Sequence, residues 1–277
     1  MRGRAGAAPV QLTVSTAAGG SPAGVSLRVL AGAGAALAAS HAPALRAAPA
    51  LQRTNHRGVP VTLASGPALA LGSVVGAALS LPAAAVAGLV SAAVGGYDDV
   101  AGARPAQAGV KGFRGHVGAL RHGTVTTGAV KVAGIGLAGL AGCALLPDRR
   151  VPLDVLLGGA VVACSANLLN LLDLRPGRAL KVGLAVATLL RQSGVAAAAA
   201  VLLPEDLTER TMLGDAGANA LGAVLGLALV ERLGSRTATA GALAALAGLT
   251  AASEVVSYSR VIDATPLRWL DRLGRRP

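Results

Sequence analysis

Apolar runs close to the length of a membrane helix follow one another along this chain, and acidic residues mark the ends of several. Asp98-Asp99 closes one run, Asp173 closes another just after Asn167 and Asn170, and Asp215 opens a third behind Gly214. In lipid every backbone N–H and C=O must be paired within the segment itself, so runs of this length become helices. A carboxylate at the centre of such a helix costs about 2.5–3.5 kcal/mol, and much of that is relieved at a helix end, where water or a cation reaches it. The three acidic segments therefore read as one polar site at one face of a membrane.

Composition agrees with a membrane class. Of 277 residues 53% are hydrophobic and only 14% charged, too apolar for a soluble domain of this size. The 38 glycines and runs such as Ala196 to Ala200 suit helices that pack closely in lipid, where small side chains let backbones approach. Cys143 and Cys164 fall inside apolar runs and read as small buried apolar residues. Residues 1–22 lack the charged, apolar and cleavage-site layout of a signal peptide and are expected to form a loose tail, followed by a bundle over 23–257 and a basic cytoplasmic segment over 258–277.

The expected fold class is all-α, a polytopic membrane bundle with about nine spans near 24–41, 62–79, 82–97, 126–146, 151–170, 178–191, 193–204, 212–231 and 237–257. The sixth and seventh are short. If both cross, they borrow flanking residues; a single crossing there would carry Asp215 to the face opposite Asp98 and Asp173 and dismantle the site.

With an outside amino terminus and nine crossings, the inner loops hold sixteen Lys and Arg, from Arg46 through Lys111 to Arg276, and the outer loops hold eight. The positive-inside rule then places all three acidic segments at the cytoplasmic face, with Tyr97, Phe113, Tyr258 and Trp269 at headgroup level on the same side. A net charge of +12 is scattered over these loops without an aromatic-rich basic module, which argues against nucleic acid and for membrane lipid and phosphate-bearing substrates.

Adjacent carboxylates at Asp98-Asp99 repel one another unless a divalent ion or cationic partner holds both ionised, and Mg²⁺ suits a site of few carboxylates completed by water and phosphate. A solvated helix end is the plainer alternative. Asn167 and Asn170 lie at i and i+3 and extend that face towards Asp173, presenting two amides and a carboxylate to a ligand or, equally, hydrogen bonds to a neighbouring helix. Gly214-Asp215-Ala216-Gly217 opens a span with amides free for phosphate oxygens and an Asp that holds a bridging metal or caps the helix. Arg53 and Arg57, with the Asn55 amide between them, then Lys111, and then Arg175, Arg178 and Lys181 supply cations for phosphates, or follow the positive-inside pattern alone.

Taken in order, Arg53-Thr54-Asn55-His56-Arg57-Gly58-Val59-Pro60, Gly96-Tyr97-Asp98-Asp99, Lys111-Gly112, Asn167 to Asp173 and Gly214-Asp215-Ala216-Gly217 resemble the polyprenyl-phosphate N-acetylhexosamine-1-phosphate transferase superfamily, which includes phospho-N-acetylmuramoyl-pentapeptide transferase. The resemblance covers roughly residues 24–257. It implies a multi-pass protein of a bacterial inner membrane that moves a sugar-1-phosphate from a UDP-sugar to a polyprenyl phosphate, releasing UMP, with Mg²⁺ as cofactor and with homo-oligomers possible. It matches Asp98 and Asp99 to the catalytic pair, Asp215 to the metal, Asn170 and Asp173 to the nucleotide- and metal-site segment and Lys111 to a basic position; Asp173 is thus expected on the metal, and Arg53, Asn55, Arg57, Asn167, Arg175 and Arg178 are expected, with Lys111 and Asn170, to bind substrate.

Two departures stand out. The family's Asp-Gly-x-Asp-Gly pattern is here Asp173-Leu174-Arg175-Pro176-Gly177, and no His-rich loop or tenth span follows the ninth run. A non-catalytic protein that binds lipid phosphate or nucleotide sugar and scaffolds envelope assembly is the alternative; a transporter fits less well, because the polar residues gather at one face rather than at mid-membrane.

Overall fold

The computed structural model describes residues 21–55, 57–104, 118–119, 121–148 and 151–276. Most of the expected tail, His56 and the segment holding Lys111 and Phe113 lie outside them. Each of the nine apolar runs is a helix: α1 (Pro22–Ser40), α3 (Ser65–Ala78), α4 (Pro82–Ala101), α5 (Thr127–Ala144), α6 (Pro152–Leu172), α7 (Arg178–Leu189), α8 (Ser193–Leu207), α9 (Gly214–Leu233) and α10 (Arg236–Ser253). Short helices α2 (Pro43–Ala47), α11 (Tyr258–Asp263) and α12 (Leu267–Arg272) lie outside the bundle proper. Four of these, α1, α5, α6 and α9, have at once the length and the hydropathy to cross a membrane.

The helix starts are written in the sequence. Pro22, Pro82 and Pro152 occupy first-turn positions, where the missing N–H is no loss, and Ser21, Thr126 and Ser235 cap α1, α5 and α10 through their hydroxyl oxygens. The centre belongs to α9, enclosed by α3, α4 and α6, with 78% of its apolar window buried. Glycine makes that enclosure possible: a Cβ on Gly217 would lie 2.8 Å from the Cα of Gly66 on α3, and one on Gly226 would lie 2.9 Å from the Cα of Val162 on α6. Around this core α1 packs on α3 and α8, and α10 rests almost solely on α6.

The two short helices settle the direction of the chain. After α7 the backbone turns at Leu190–Gln192, with Arg191 at φ +56°, and α8 runs back along α7. The return brings the Asp206 carboxylate, near the end of α8, to accept the Gly177 N–H at 2.5 Å just before α7 begins. Asp215 thus starts α9 at the same end of the bundle as Asp173.

At that end two strands, β1 (Gln52–Thr54) and β2 (Pro60–Thr62), pair antiparallel with Arg53 opposite Val61. Asn55 builds their connection: its side-chain oxygen accepts the N–H groups of Arg57 and Val59, both at 2.9 Å, and Gly58 takes φ +78°. The hairpin is tied to the residues before α9, because Met212 N–H donates to the Thr62 carbonyl at 2.9 Å and the Ser65 hydroxyl donates to that of Thr211 at 2.7 Å.

Candidate active site

The ends of α4 and α6 and the starts of α5 and α9 meet beneath the hairpin. Gly95 lets α4 press against the backbone of Asp215, where any Cβ would collide with its carbonyl. One turn later Asp99 caps α9 from outside: its two carboxylate oxygens accept the N–H groups of Asp215 and Ala216, each at 2.9 Å. Two orphan amides of the helix start are satisfied in this way, and the positive end of the α9 dipole faces a carboxylate. The cap expected of Asp215 is therefore made by Asp99, reaching across from another helix.

Gly214 explains how the carboxylate gets so close. It sits at φ +61°, and a Cβ there would come within 2.8 Å of the Asp99 carboxylate. Its N–H donates to Asp173 Oδ2 at 3.1 Å. Burial, and then the charge of Asp206, push the Asp173 carboxyl well above the usual carboxylate range.

Asp98 and Asp215 face a cation that the loop-based tally of basic residues passed over. Lys131, one turn into α5, sets its ammonium 2.8 Å from Asp98 and 2.7 Å from Asp215. All three side chains are mostly buried, and the ammonium closes α4, α5 and α9 into one network. The signal was present in Val130-Lys131-Val132, a cation inside an apolar run, which by default marks function in a membrane helix.

The other expected residues divide. Arg53 joins the cluster, its guanidinium donating to the main-chain carbonyl of Asp99 as well as to that of Ala50 at 2.9 Å. Asn55 and Arg57 both turn to Glu209, at 2.7 and 3.3 Å. Asn167 and Asn170 are half-buried near the end of α6, and their side chains form no hydrogen bond among the described residues. Arg175 lines a cleft of about 210 Å³ together with Arg57, Arg178, Glu209, Arg272 and Arg275. Arg178, expected to hold substrate, is only 4% exposed and is bound to Asp271 through both carboxylate oxygens, at 2.8 and 3.0 Å. Lys111 lies outside the described residues.

Sequence reasoning also missed Glu205, Asp206 and Glu209, although they follow an apolar run just as Asp98-Asp99 does. Glu205 holds Arg46 at 2.6 Å, and Asp206 and Glu209 line a narrow cleft with Asp173, Arg175 and Asn55. Asn219, one turn beyond Asp215, is buried with its amide nitrogen unpaired among the described residues.

Mg²⁺ does not fit these groups as they stand. Its carboxylate oxygens must approach to about 2.0–2.1 Å in an octahedron, whereas Lys131 already stands between Asp98 and Asp215 and backbone amides hold Asp99 and Asp173. Among the described residues no group of three or more His, Cys, Asp or Glu is arranged to hold a metal. What the arrangement offers is four carboxylates, an internal ammonium and exposed guanidinium groups around the start of a helix. No family model matches the chain, and no curated protein or solved structure matches it.

Proposed function

We propose that the protein transfers a sugar-1-phosphate from a UDP-sugar to a polyprenyl phosphate and releases UMP, from a site at the cytoplasmic face of a bacterial inner membrane. The observation that carries this reading is the meeting of Asp98, Asp99, Asp173 and Asp215 at one end of the bundle, from three helices far apart in sequence. Nine crossings follow from the nine helices if the shorter ones borrow interfacial residues, and the excess of basic residues at the site end orients that end inward.

Phosphoryl transfer needs positioning and charge neutralisation more than covalent help. In this reading Arg57 and Arg175 receive the diphosphate in the arginine-lined cleft, as forks that fit phosphate oxygens. Asn167 and Asn170 present free amides to the nucleotide. Lys131 draws Asp98 and Asp215 together and offers its ammonium to the ionised polyprenyl phosphate; Asp98 positions that acceptor through Lys131, and Asp99 does so through the start of α9 that it caps. The Mg²⁺ that the resemblance implies would require Lys131 to withdraw, so the steps derived from this chain run through its own side chains.

The test is UMP release by the purified protein in lipid, with polyprenyl phosphate and a panel of UDP-sugars, with and without Mg²⁺. Release by the wild type that falls by roughly 10²-fold or more in Asp215→Asn supports the transferase. A second reading, a non-catalytic protein that binds lipid phosphate or nucleotide sugar and scaffolds envelope assembly, is favoured by the commitment of Arg178 to Asp271. It takes over if no donor yields UMP while the same preparation binds polyprenyl phosphate.

A further inference from the structure

The C-terminal segment does not trail away from the bundle; it folds back as a hairpin of α11 and α12 and grips the loop that follows Asp173. Asp271 is the centre of the grip. Its carboxylate accepts two hydrogen bonds from Arg178 and one from Arg275 at 2.6 Å. The Arg275 side chain also donates to the Pro176 carbonyl at 2.7 Å, and the Lys181 ammonium donates to the carbonyls of Leu270, Asp271 and Leu273 at 2.7–2.9 Å. Arg178 reaches the hairpin's other arm through the Ser259 hydroxyl at 3.0 Å.

The opposite face of the hairpin is apolar and open. Val261, Leu267, Leu270 and Leu273 are all exposed, and Trp269 is 72% exposed with the Arg268 guanidinium 5.5 Å from its ring centre. Six residues per helix are too few to cross a bilayer, so any contact of these helices with one is at its surface. Charge favours the same partner: Arg260, Arg268, Arg272 and Arg276 are exposed, against Glu254 and Asp263. The segment continues from α10, which buries little besides Thr239 and is otherwise exposed or half-exposed. An amphipathic segment with arginines beside a tryptophan is what an anionic headgroup layer receives.

We infer that the C-terminal hairpin is a membrane-surface latch: its apolar face lies in an anionic lipid interface, and its polar face holds the Asp173–Arg178 loop in place. The inference rests on the membrane reading of the chain and not on the transfer reaction. Trp269 is the only tryptophan, so its fluorescence reports the hairpin alone. The full-length protein is reconstituted in nanodiscs of zwitterionic or mixed anionic phospholipid carrying quenchers at graded depths. Quenching should be strongest from the shallowest acyl positions, acrylamide quenching should be several-fold weaker in anionic than in zwitterionic discs, and Arg268→Gln with Arg272→Gln should remove that difference. Asp271→Asn should raise amide hydrogen exchange in residues 174–181 several-fold while leaving α9 unchanged. Trp269 open to acrylamide in both lipids and untouched by bilayer quenchers overturns the inference, and so does quenching protection that disappears when two protein copies per disc are reduced to one. Failure of UMP release leaves all of these readings unaffected.

Discussion

Two ionic clusters occupy the same end of the bundle, and they are built in opposite ways. Around Asp271, one carboxylate is shared by two guanidinium groups, each hydrogen-bonded in good geometry. Around Lys131, one ammonium is shared by two carboxylates, with Asp99 and Asp173 held close by through the backbone of α9. The first is saturated and joins two pieces of chain. The second holds four carboxylates against Lys131 and Arg53, and places them at helix ends and on backbone amides. A buried pair that is complete contributes to folding, while one that is incomplete is poised for a ligand.

The comparison breaks most visibly if the saturated cluster proves dispensable. Arg178→Met leaves Asp271 buried with Arg275 alone and is expected to cost about 3–5 kcal/mol, read by equilibrium unfolding in mixed micelles. Adding Asp271→Leu should restore most of that loss, since the partner left without its pair is the source of the cost. A single variant within about 1 kcal/mol of wild type would show that the latch bears no load.

The acidic cluster should respond differently. Asp98→Asn removes one of the two carboxylates on Lys131 and leaves the other, so it should cost less than Arg178→Met, about 1–2 kcal/mol. UMP release should nevertheless fall by roughly 10²-fold, because the group that positions the acceptor is gone. A variant that unfolds but, where folded, turns over normally would exchange the roles of the two clusters. Gly214→Ala tests how the acidic cluster is assembled: it forces a side chain into φ +61° and against Asp99, and should cost about 1–2 kcal/mol together with the cap on α9. Ala at that position without loss in thermal unfolding would mean that Asp99 does not cap α9.

Much of the bundle is legible in the sequence because the helix-forming signal is local. Pro82 and Pro152 open their helices, and the run lengths mark each element. The short pair α7 and α8 is harder to read, since length alone leaves open whether the chain returns between them; the return is seen in Asp206 meeting Gly177, a contact 29 residues apart. The acidic half of the candidate site could be read from carboxylates at the ends of apolar runs. Its cation could not be read from loops, because Lys131 sits inside a helix. Nor could the fate of Arg178 be read, because its partner lies 93 residues away in a segment whose own pattern says only that it is basic. Helix positions follow from neighbours in sequence, whereas charge pairing follows from packing between helices.

The smallest effect concerns pH and separates the clusters once more. Burial works to raise the Asp271 carboxyl, but the hydrogen bonds and charge of Arg178, with the charge of Arg275, outweigh it and hold the group below its ordinary value. A carboxyl depressed in the fold contributes stability that is fully present above the unfolded value, about 3.9, and is lost as pH falls through the lower folded value. The latch should therefore stay closed from neutral pH down to about 4 and open only below it. Trp269 emission and hydrogen exchange over 174–181 follow this directly, with Asp271→Asn open at every pH as the reference. Release already between pH 5 and 7 would mean that another group controls the hairpin, and Asp271 would lose its place as the centre of the saturated cluster.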